Sequence, residues 1–223
     1  MIGRLVESMQ SHPSAGIAFC RSLLVDEAGS SLGEDYEARE SSFKVRCETD
    51  TLLQKKEMSV FLLHSCVIPN LSAVLIRREC FNVVGGFPKD YPACSDWAWF
   101  LNIAEYYDVA YVAEPLNHFM QHGETIRSLT KDKVLYEEYF RLLLSNQNKL
   151  VLSFVERSNA RLRIMELWSQ HLIGPSWNGI VNFPYHLSKI TYLDLISLLY
   201  LPLALLFRMF SLFRKAIKRV QGK

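Results

Sequence analysis

Several common classes are excluded by what this sequence does not contain. Its five cysteines, Cys20, Cys47, Cys66, Cys80 and Cys94, form no Cys-x-x-Cys pair. That pattern argues against a cysteine zinc site or a disulfide framework and suits reduced, packed thiols in a reducing compartment. Residues 1–13, MIGRLVESMQSHP, hold no long apolar run of the secretory kind. Gly-x-Gly-x-x-Gly and His-Glu-x-x-His are missing, which removes the dinucleotide cradle and the zincin helix. The Gly-x-Ser-x-Gly spacing of Gly29-Ser30-Ser31-Leu32-Gly33 lies at a turn that leads into a returning strand, not on the strand-to-helix elbow of a serine hydrolase. A net charge of +2 is too small to argue for nucleic acid. The basic residues also lie among aliphatic ones, not in an aromatic-studded groove. No internal repeat or low-complexity tract is present.

What remains is a chain of 223 residues, 49% apolar and 22% charged, which is a globular composition large enough to bury a core. The spacing of Ile2, Leu5, Val6 and Met9 predicts a short amphipathic helix, ended at His12-Pro13. GIAFCRSLLVDEAGSSLGE predicts a strand, a turn at Asp26 to Gly29 and a returning strand. Residues 34–50 are polar and are expected to form an exposed loop. TLLQKKEMSVFLLHS looks helical, LSAVLIRR is a strand and Arg78 to Val83 a short helix or turn. A helix is expected from Ser95 to Tyr106 with Trp97, Phe100, Leu101 and Ala104 inward. A strand should cover Asp108 to Glu114 and another Leu116 to Met120. Helical periodicity then runs from Lys131 to about Leu172, and GPSWNGIVNFPYH links it to a final helical stretch.

That final stretch contains LISLLYLPLALLF, Leu195 to Phe207, apolar throughout but shorter than the ~20 residues of a comfortable membrane span. Thr191 and Asp194 resemble a capping box, and Pro202 is expected to kink the helix. Beyond it Leu206, Phe210, Phe213, Ile217 and Val220 form an apolar stripe. Arg208, Lys215 and Arg219 fall on the other side. Six basic residues in all, Arg208, Arg214, Lys215, Lys218, Arg219 and Lys223, crowd positions 208–223. An apolar stripe beside a basic one suits a helix lying in the headgroup layer of an anionic membrane. A core helix with a solvated basic tail has the same composition.

Four features can bear chemistry. Gly85-Gly86-Phe87 breaks the pattern as a tight turn needing positive φ. Asp96 stands at the head of a Trp-rich helix, either as its cap or as a reacting carboxylate. Trp97 and Trp99 can offer a face to a sugar ring, Trp97 being the better core residue and Trp99 the better candidate for exposure. His118 and His122 are four apart, but the strand expected at Leu116 to Met120 denies them the helical geometry of a shared metal. His118 is therefore structural, whereas His122 precedes Gly123 and Glu124 in a polar loop.

Together, SAVLIRRECFNVVGGFPKDYPACSDWAWFLNIAEYYDVAYVAEPLNHFMQHGETIRS resembles the acceptor half of family 2 glycosyltransferases with the GT-A fold. The matching features are an Arg-bearing strand, a Gly-Gly-Phe turn, and an acidic residue heading a Trp/Leu helix. A Val-Ala-Tyr-Val-x-Glu-Pro-Leu strand and a His-Gly loop follow. The upstream MIGRLVESMQSHPSAGIAFCRSLLVDEAGSSLG is similar to the segment just past that family's metal-binding aspartates, so the likeness covers about residues 1–128. It implies that Asp96 is the general base of an inverting transfer from a nucleotide-sugar to an acceptor hydroxyl. Gly85, Gly86, Phe87, Trp97 and Trp99 would shape the sugar site, and His122 would lie near the donor diphosphate or its metal. The family carries a second acidic residue just before the base; Ser95 stands there in this chain.

The resemblance also implies a divalent metal, Mn or Mg, held by an Asp-x-Asp pair. The sequence has no Asp-x-Asp; the nearest spacing, Glu48-Thr49-Asp50, follows the first strand. The expectation is thus an α/β (α+β) chain with a partial GT-A-like mixed sheet flanked by helices over residues 1–130. A helical region at 131–175 and a linker with a membrane-associating helix at 176–223 complete it. Such a chain would be a truncated or split glycosyltransferase acting in surface-glycan synthesis on a glycan or lipid-linked acceptor. It would sit peripherally at the cytoplasmic face of the cell membrane, with a separate chain supplying the nucleotide-binding half. From a different class comes a non-catalytic, membrane-associated partner or regulatory half-domain.

Overall fold

The computed structural model describes residues 1–39, 41–68, 70–121, 130–173 and 178–221. The chain is of mixed α/β type and divides into two compact units, Met1–Leu129 and Thr130–Lys223.

The first unit is built on two long strands, β1 (Ala15–Val25) and β5 (Asp108–Met120), paired in parallel along their length. Residues 15–20 of β1 are all buried, as expected for a central strand covered on both faces. The other edge of β1 is shared. β4 (Val74–Ile76) runs antiparallel to Ile17–Phe19, and β2 (Ser31–Glu34) antiparallel to Leu23–Val25. β3 (Thr51–Leu53) adds antiparallel to Tyr111–Val109 of β5. The turn between β1 and β2 is made by Asp26, whose Oδ1 accepts from the N–H groups of Ala28 (2.9 Å) and Ser30 (2.7 Å). This is the local bonding that makes Asp a turn residue. α1 (Ile2–Ser11) lays Leu5 and Met9 onto the sheet beside Ala18 and Ala110.

Gly16 of β1 is required by packing. A β-carbon there would lie 2.6 Å from Tyr107 Cβ and 2.8 Å from Cys80 Sγ. The Cys80 thiol bonds to the Gly16 carbonyl (3.3 Å), and burial pushes its pKa up. The rest of the unit comprises α2 (Ser41–Arg46), α3 (Lys55–His64), α4 (Arg78–Val84) and α5 (Ser95–Ala104).

Several local expectations are corrected. Residues 34–50 are not an exposed loop: a 3₁₀ turn (Asp35–Ala38) and α2 bury Phe43 and Cys47. Phe43 packs edge-on to Tyr111 at 5.6 Å, so one aromatic residue turns a polar stretch into core. Thr51–Leu53 is strand rather than helix, because β5 offers it a partner edge. The strand at LSAVLIRR is only Val74–Ile76, since Asn70 caps a 3₁₀ turn over Leu71–Ala73 by accepting from the Ala73 N–H. The two strands expected around Pro115 are one, with register shifts near that residue absorbing it.

The second unit is helical. α6 (Asp132–Lys149) and α7 (Phe154–Leu172) are separated by a short break that ends in a capping box. There the Glu156 N–H donates to Ser153 Oγ (3.3 Å) and the Ser153 N–H to Glu156 Oε2 (2.7 Å). α8 (Asn178–Val181), α9 (Phe183–Asp194), a 3₁₀ turn (Leu195–Tyr200) and α10 (Leu201–Gln221) follow. Trp168 stacks on Phe183 at 5.3 Å, over a core that includes Phe140, Leu143, Ile164 and Ile190. Asp194 accepts from Arg161 Nε and Gln147 Nε2, both at 2.7 Å, and so ties the end of α9 to α7 and α6.

Here too the local chemistry differs from expectation. Asp194, not Thr191, is the capping residue. Its carboxylate accepts from the Ile196 N–H, while Thr191 Oγ donates back to the Leu187 carbonyl inside α9. Pro202 lies in the first turn of α10 rather than at a kink in mid-helix. A prolyl nitrogen has no hydrogen to give the Leu198 carbonyl, so the Leu201 N–H serves it and the preceding turn is 3₁₀. Counting α9, the 3₁₀ turn and α10 together, Phe183–Arg214 is 32 residues with mean hydropathy 2.0 in its most apolar window. It is long and apolar enough to cross a membrane by length and composition, where Leu195 to Phe207 alone is short. Leu203, Leu206, Phe207, Met209, Phe210 and Phe213 are exposed along it.

Candidate active site

The sequence-predicted site residues that lie within the described residues fall on α5 and on the turn between α4 and α5. α4 ends because Gly85 adopts φ +74°, a left-handed conformation, and its N–H returns to the Phe81 carbonyl. Glycine reaches that region without a Cβ penalty, so the tight-turn reading holds at Gly85. Gly86 has no positive φ. A β-carbon on either glycine would meet nothing within 4 Å, so the space over this turn is open.

The turn is anchored to α5 by one side chain. Trp99 Nε1 donates to the Gly85 carbonyl at 2.8 Å. Phe81 and Phe87 flank the same indole, at 4.8 and 4.7 Å between ring centroids. Trp99 was expected to be the more exposed of the two tryptophans; it is fully buried, at 0% exposure, because these contacts enclose it. Trp97 is nearly as buried and donates from Nε1 to the Leu62 carbonyl at the end of α3 (2.8 Å). Neither indole presents an open face. The rings that do are Phe81, at 41% exposure, and Phe87, at 38%. Of these only Phe87 was marked in the sequence; Phe81, four residues before Gly85, was legible only as a helical position.

Asp96 occupies the first turn of α5 and is part-buried, not sealed in the core. Cys94 is the N-cap residue and makes no side-chain capping bond, so Asp96 does not cap the helix in the usual sense. Instead its Oδ1 accepts from the next N–H, that of Trp97, at 2.7 Å. A carboxylate in the first turn is also favoured by the positive end of the helix dipole. Asp96 and Trp99 are three apart and share a side of α5. The carboxylate therefore stands one helical turn from the residue that holds Gly85. Chemically, α5 carries an ionisable acceptor in its first turn and, through Trp99, holds an open glycine turn with exposed aromatic rings on either side of the indole.

A polar network not singled out in the sequence lies toward the carboxyl ends of the parallel strands. Ser22 on β1 pairs in register with Asn117 on β5. Asn117 Nδ2 donates to Ser22 Oγ (2.9 Å) and to Asn70 Oδ1 (3.3 Å), and Asn70 Nδ2 donates to Ser22 Oγ (3.2 Å). The Ser22 N–H donates to Asp35, which is ion-paired to Arg39 at 2.5 Å. Only the pairing of β1 with β5 juxtaposes these residues, so no local spacing could have marked them. His118, next to Asn117, is exposed.

His122 lies outside the described residues. Among the described residues no group of three or more His, Cys, Asp or Glu side chains could hold a metal ion. Asp50, from the nearest acidic spacing, has both oxygens engaged, one by the Ala113 N–H (2.8 Å) and one by Arg4 (2.9 Å). No family model and no curated protein matches the chain.

Proposed function

We propose that this chain is a family 2 glycosyltransferase-like protein that contributes the acceptor side of an inverting sugar transfer at the cytoplasmic face of a membrane. The observation that supports it is the placement of Asp96. A part-buried carboxylate keeps one oxygen on the Trp97 N–H at 2.7 Å and stands a helical turn from Trp99, the residue that holds the open Gly85 turn and is flanked by Phe81 and Phe87. Asp96 takes the proton of an acceptor hydroxyl as that oxygen bonds to the anomeric carbon of a nucleotide-sugar. The anomeric carbon–oxygen bond to the diphosphate breaks, and the nucleoside diphosphate leaves with its electron pair. Attack from the opposite face inverts the anomeric configuration. Phe87 and Phe81 supply apolar faces for the acceptor, a role the sequence pattern had given to Trp97 and Trp99. The apolar, basic α10 holds the chain beside a lipid-linked or surface-glycan acceptor.

The test is transfer from a panel of radiolabelled nucleotide-sugars to acceptors extracted from membranes, comparing wild type with Asp96→Asn in cells carrying the full gene. Loss of transfer by roughly a hundredfold or more with normal protein levels supports the base. Transfer that Asp96→Asn leaves intact refutes it.

A second reading has its own observation. β4 pairs with β1 alone among the described residues, leaving the outer edge of Val74–Ile76 without a strand. An open edge is a template for another strand, which favours a half-domain that completes a separate nucleotide-binding chain. Co-purification of such a chain, lost on Leu75→Pro, supports this reading; a chain that transfers sugar alone excludes it.

A further inference from the structure

A second candidate site lies in the helical unit, built from residues that the sugar-transfer reading does not use. Arg208 is the only charged residue between Asp194 and Arg214. It interrupts a run of leucine, phenylalanine and methionine whose neighbours Phe207, Met209 and Phe210 are exposed. An ionisable group in such a run is costly unless it is used. Its Nε is buried and meets no hydrogen-bond acceptor. It lines a cavity of about 220 Å³ between α7 and α10, together with Glu166, Ser169, Gln170, Ala204, Phe207 and Ser211.

Glu166 also lines the cavity; its Oε2 is paired with Arg163 Nη1 at 3.2 Å, and no ion pair joins it to Arg208 among the described residues. Ser169 Oγ is likewise spent on the Glu166 carbonyl (2.8 Å). Set against the Glu166 carboxylate are three donor groups, the Arg208 fork, the Gln170 amide and the Ser211 hydroxyl. Ala204 and Phe207 provide apolar wall. A buried unpaired guanidinium N–H is an unmet demand for an anion, and the planar fork matches phosphate oxygens two at a time. Phe207 in its wall is exposed, as are Met209 and Phe210 along the same helix, so the anion it suits carries a hydrocarbon tail.

We propose that the Arg208 cavity binds the terminal phosphate of a lipid. A terminal phosphate has one substituent and presents three unesterified oxygens to the Arg208 fork, Gln170 and Ser211, with its tail free to follow the exposed apolar residues of α10. A phosphodiester has only two such oxygens and one charge fewer when fully ionised. The inference rests on the membrane placement proposed above but not on sugar transfer, so Asp96 variants leave it untouched.

The test is co-sedimentation of the full chain with three vesicle types. These are phosphatidylcholine alone, phosphatidylcholine with phosphatidic acid, and phosphatidylcholine with phosphatidylglycerol at matched surface charge. The wild type is expected to prefer phosphatidic acid over phosphatidylglycerol by about tenfold, and Arg208→Gln to abolish that preference while binding phosphatidylglycerol vesicles as before. Arg208→Lys keeps the charge and loses the fork. It should retain only part of the preference, and it serves if Arg208→Gln fails to fold by circular dichroism. A preference removed by millimolar inorganic phosphate identifies the free ion as sufficient, and one that survives it identifies a lipid-borne phosphate. Equal binding to both anionic vesicles, or a preference that persists in Arg208→Gln, overturns the site. Binding to none of the vesicles overturns the membrane placement itself.

Discussion

Trp99 and Gly85 are joined by a 2.8 Å hydrogen bond from the indole nitrogen to the glycine carbonyl, which fixes the turn against α5. The two ends of the bond respond differently to substitution. Gly85→Ala forces a Cβ into a left-handed conformation and is expected to cost about 1–2 kcal/mol. Gly86→Ala, with open space and no positive φ, should be within about 0.5 kcal/mol of wild type. Trp99→Phe removes the donor and leaves a gap between Phe81 and Phe87, at a cost of about 2–3 kcal/mol. Urea denaturation of the three variants measures the order.

Gly16→Ala is expected to be worse than either glycine variant. The new methyl would lie 2.6 Å from Tyr107 and 2.8 Å from Cys80, on a strand that cannot move without disturbing β4 and β5. Overpacking of this kind costs about 1–3 kcal/mol, read as a lowered melting temperature by circular dichroism.

The Asp35–Arg39 pair is largely buried, with side-chain exposures of 10% and 15%, and Asp35 also receives the Ser22 N–H. Asp35→Ala would leave the Arg39 charge without its counter-ion, held only by the Cys66 carbonyl (3.0 Å), and the Ser22 N–H without its acceptor, and is expected to destabilise by about 3–5 kcal/mol. Substituting both partners with apolar residues of similar volume should recover a large part of that loss. A double-mutant cycle in denaturant separates the two effects.

Thiol reactivity should follow burial. Desolvation pushes Cys47 up to about 12, and Cys20 and Cys80 are raised for the same reason. A raised thiol pKa keeps the group protonated and unreactive well above the range in which an unfolded cysteine ionises. At pH 8 iodoacetamide should label Cys66, the one part-exposed cysteine, far faster than the other four, with all five labelled after unfolding in urea. Peptide mass spectrometry gives the order.

Phe210 and Phe213 are exposed at 58% and 65% on α10. If this face lies on lipid, Phe210→Asp and Phe213→Asp should together reduce vesicle binding by about tenfold or more, with helicity unchanged. Undiminished binding would show that this face does not touch the bilayer.

Local elements were legible where the determinant was local. The periodicity of Leu5 and Met9, the Asp26 turn and the Gly85 break each act within a few residues, so spacing alone revealed them. Trp99 was misjudged because its burial comes from Phe81 and Phe87, and composition does not say which partners a ring will find. Phe43 was missed for the same reason: a polar segment becomes core only when Tyr111 is brought to it.

The primary sequence alone determined which residues can ionise, where the backbone must turn and which faces are apolar, because these depend on side-chain chemistry and short-range sterics. Tertiary pairing decided the rest. Joining β1 to β5 brought Ser22 to Asn117, distant along the chain. Packing α7 against α10 left Arg208 Nε without an acceptor. Both are long-range outcomes, set by which surfaces exclude water together, and no short stretch of residues encodes them.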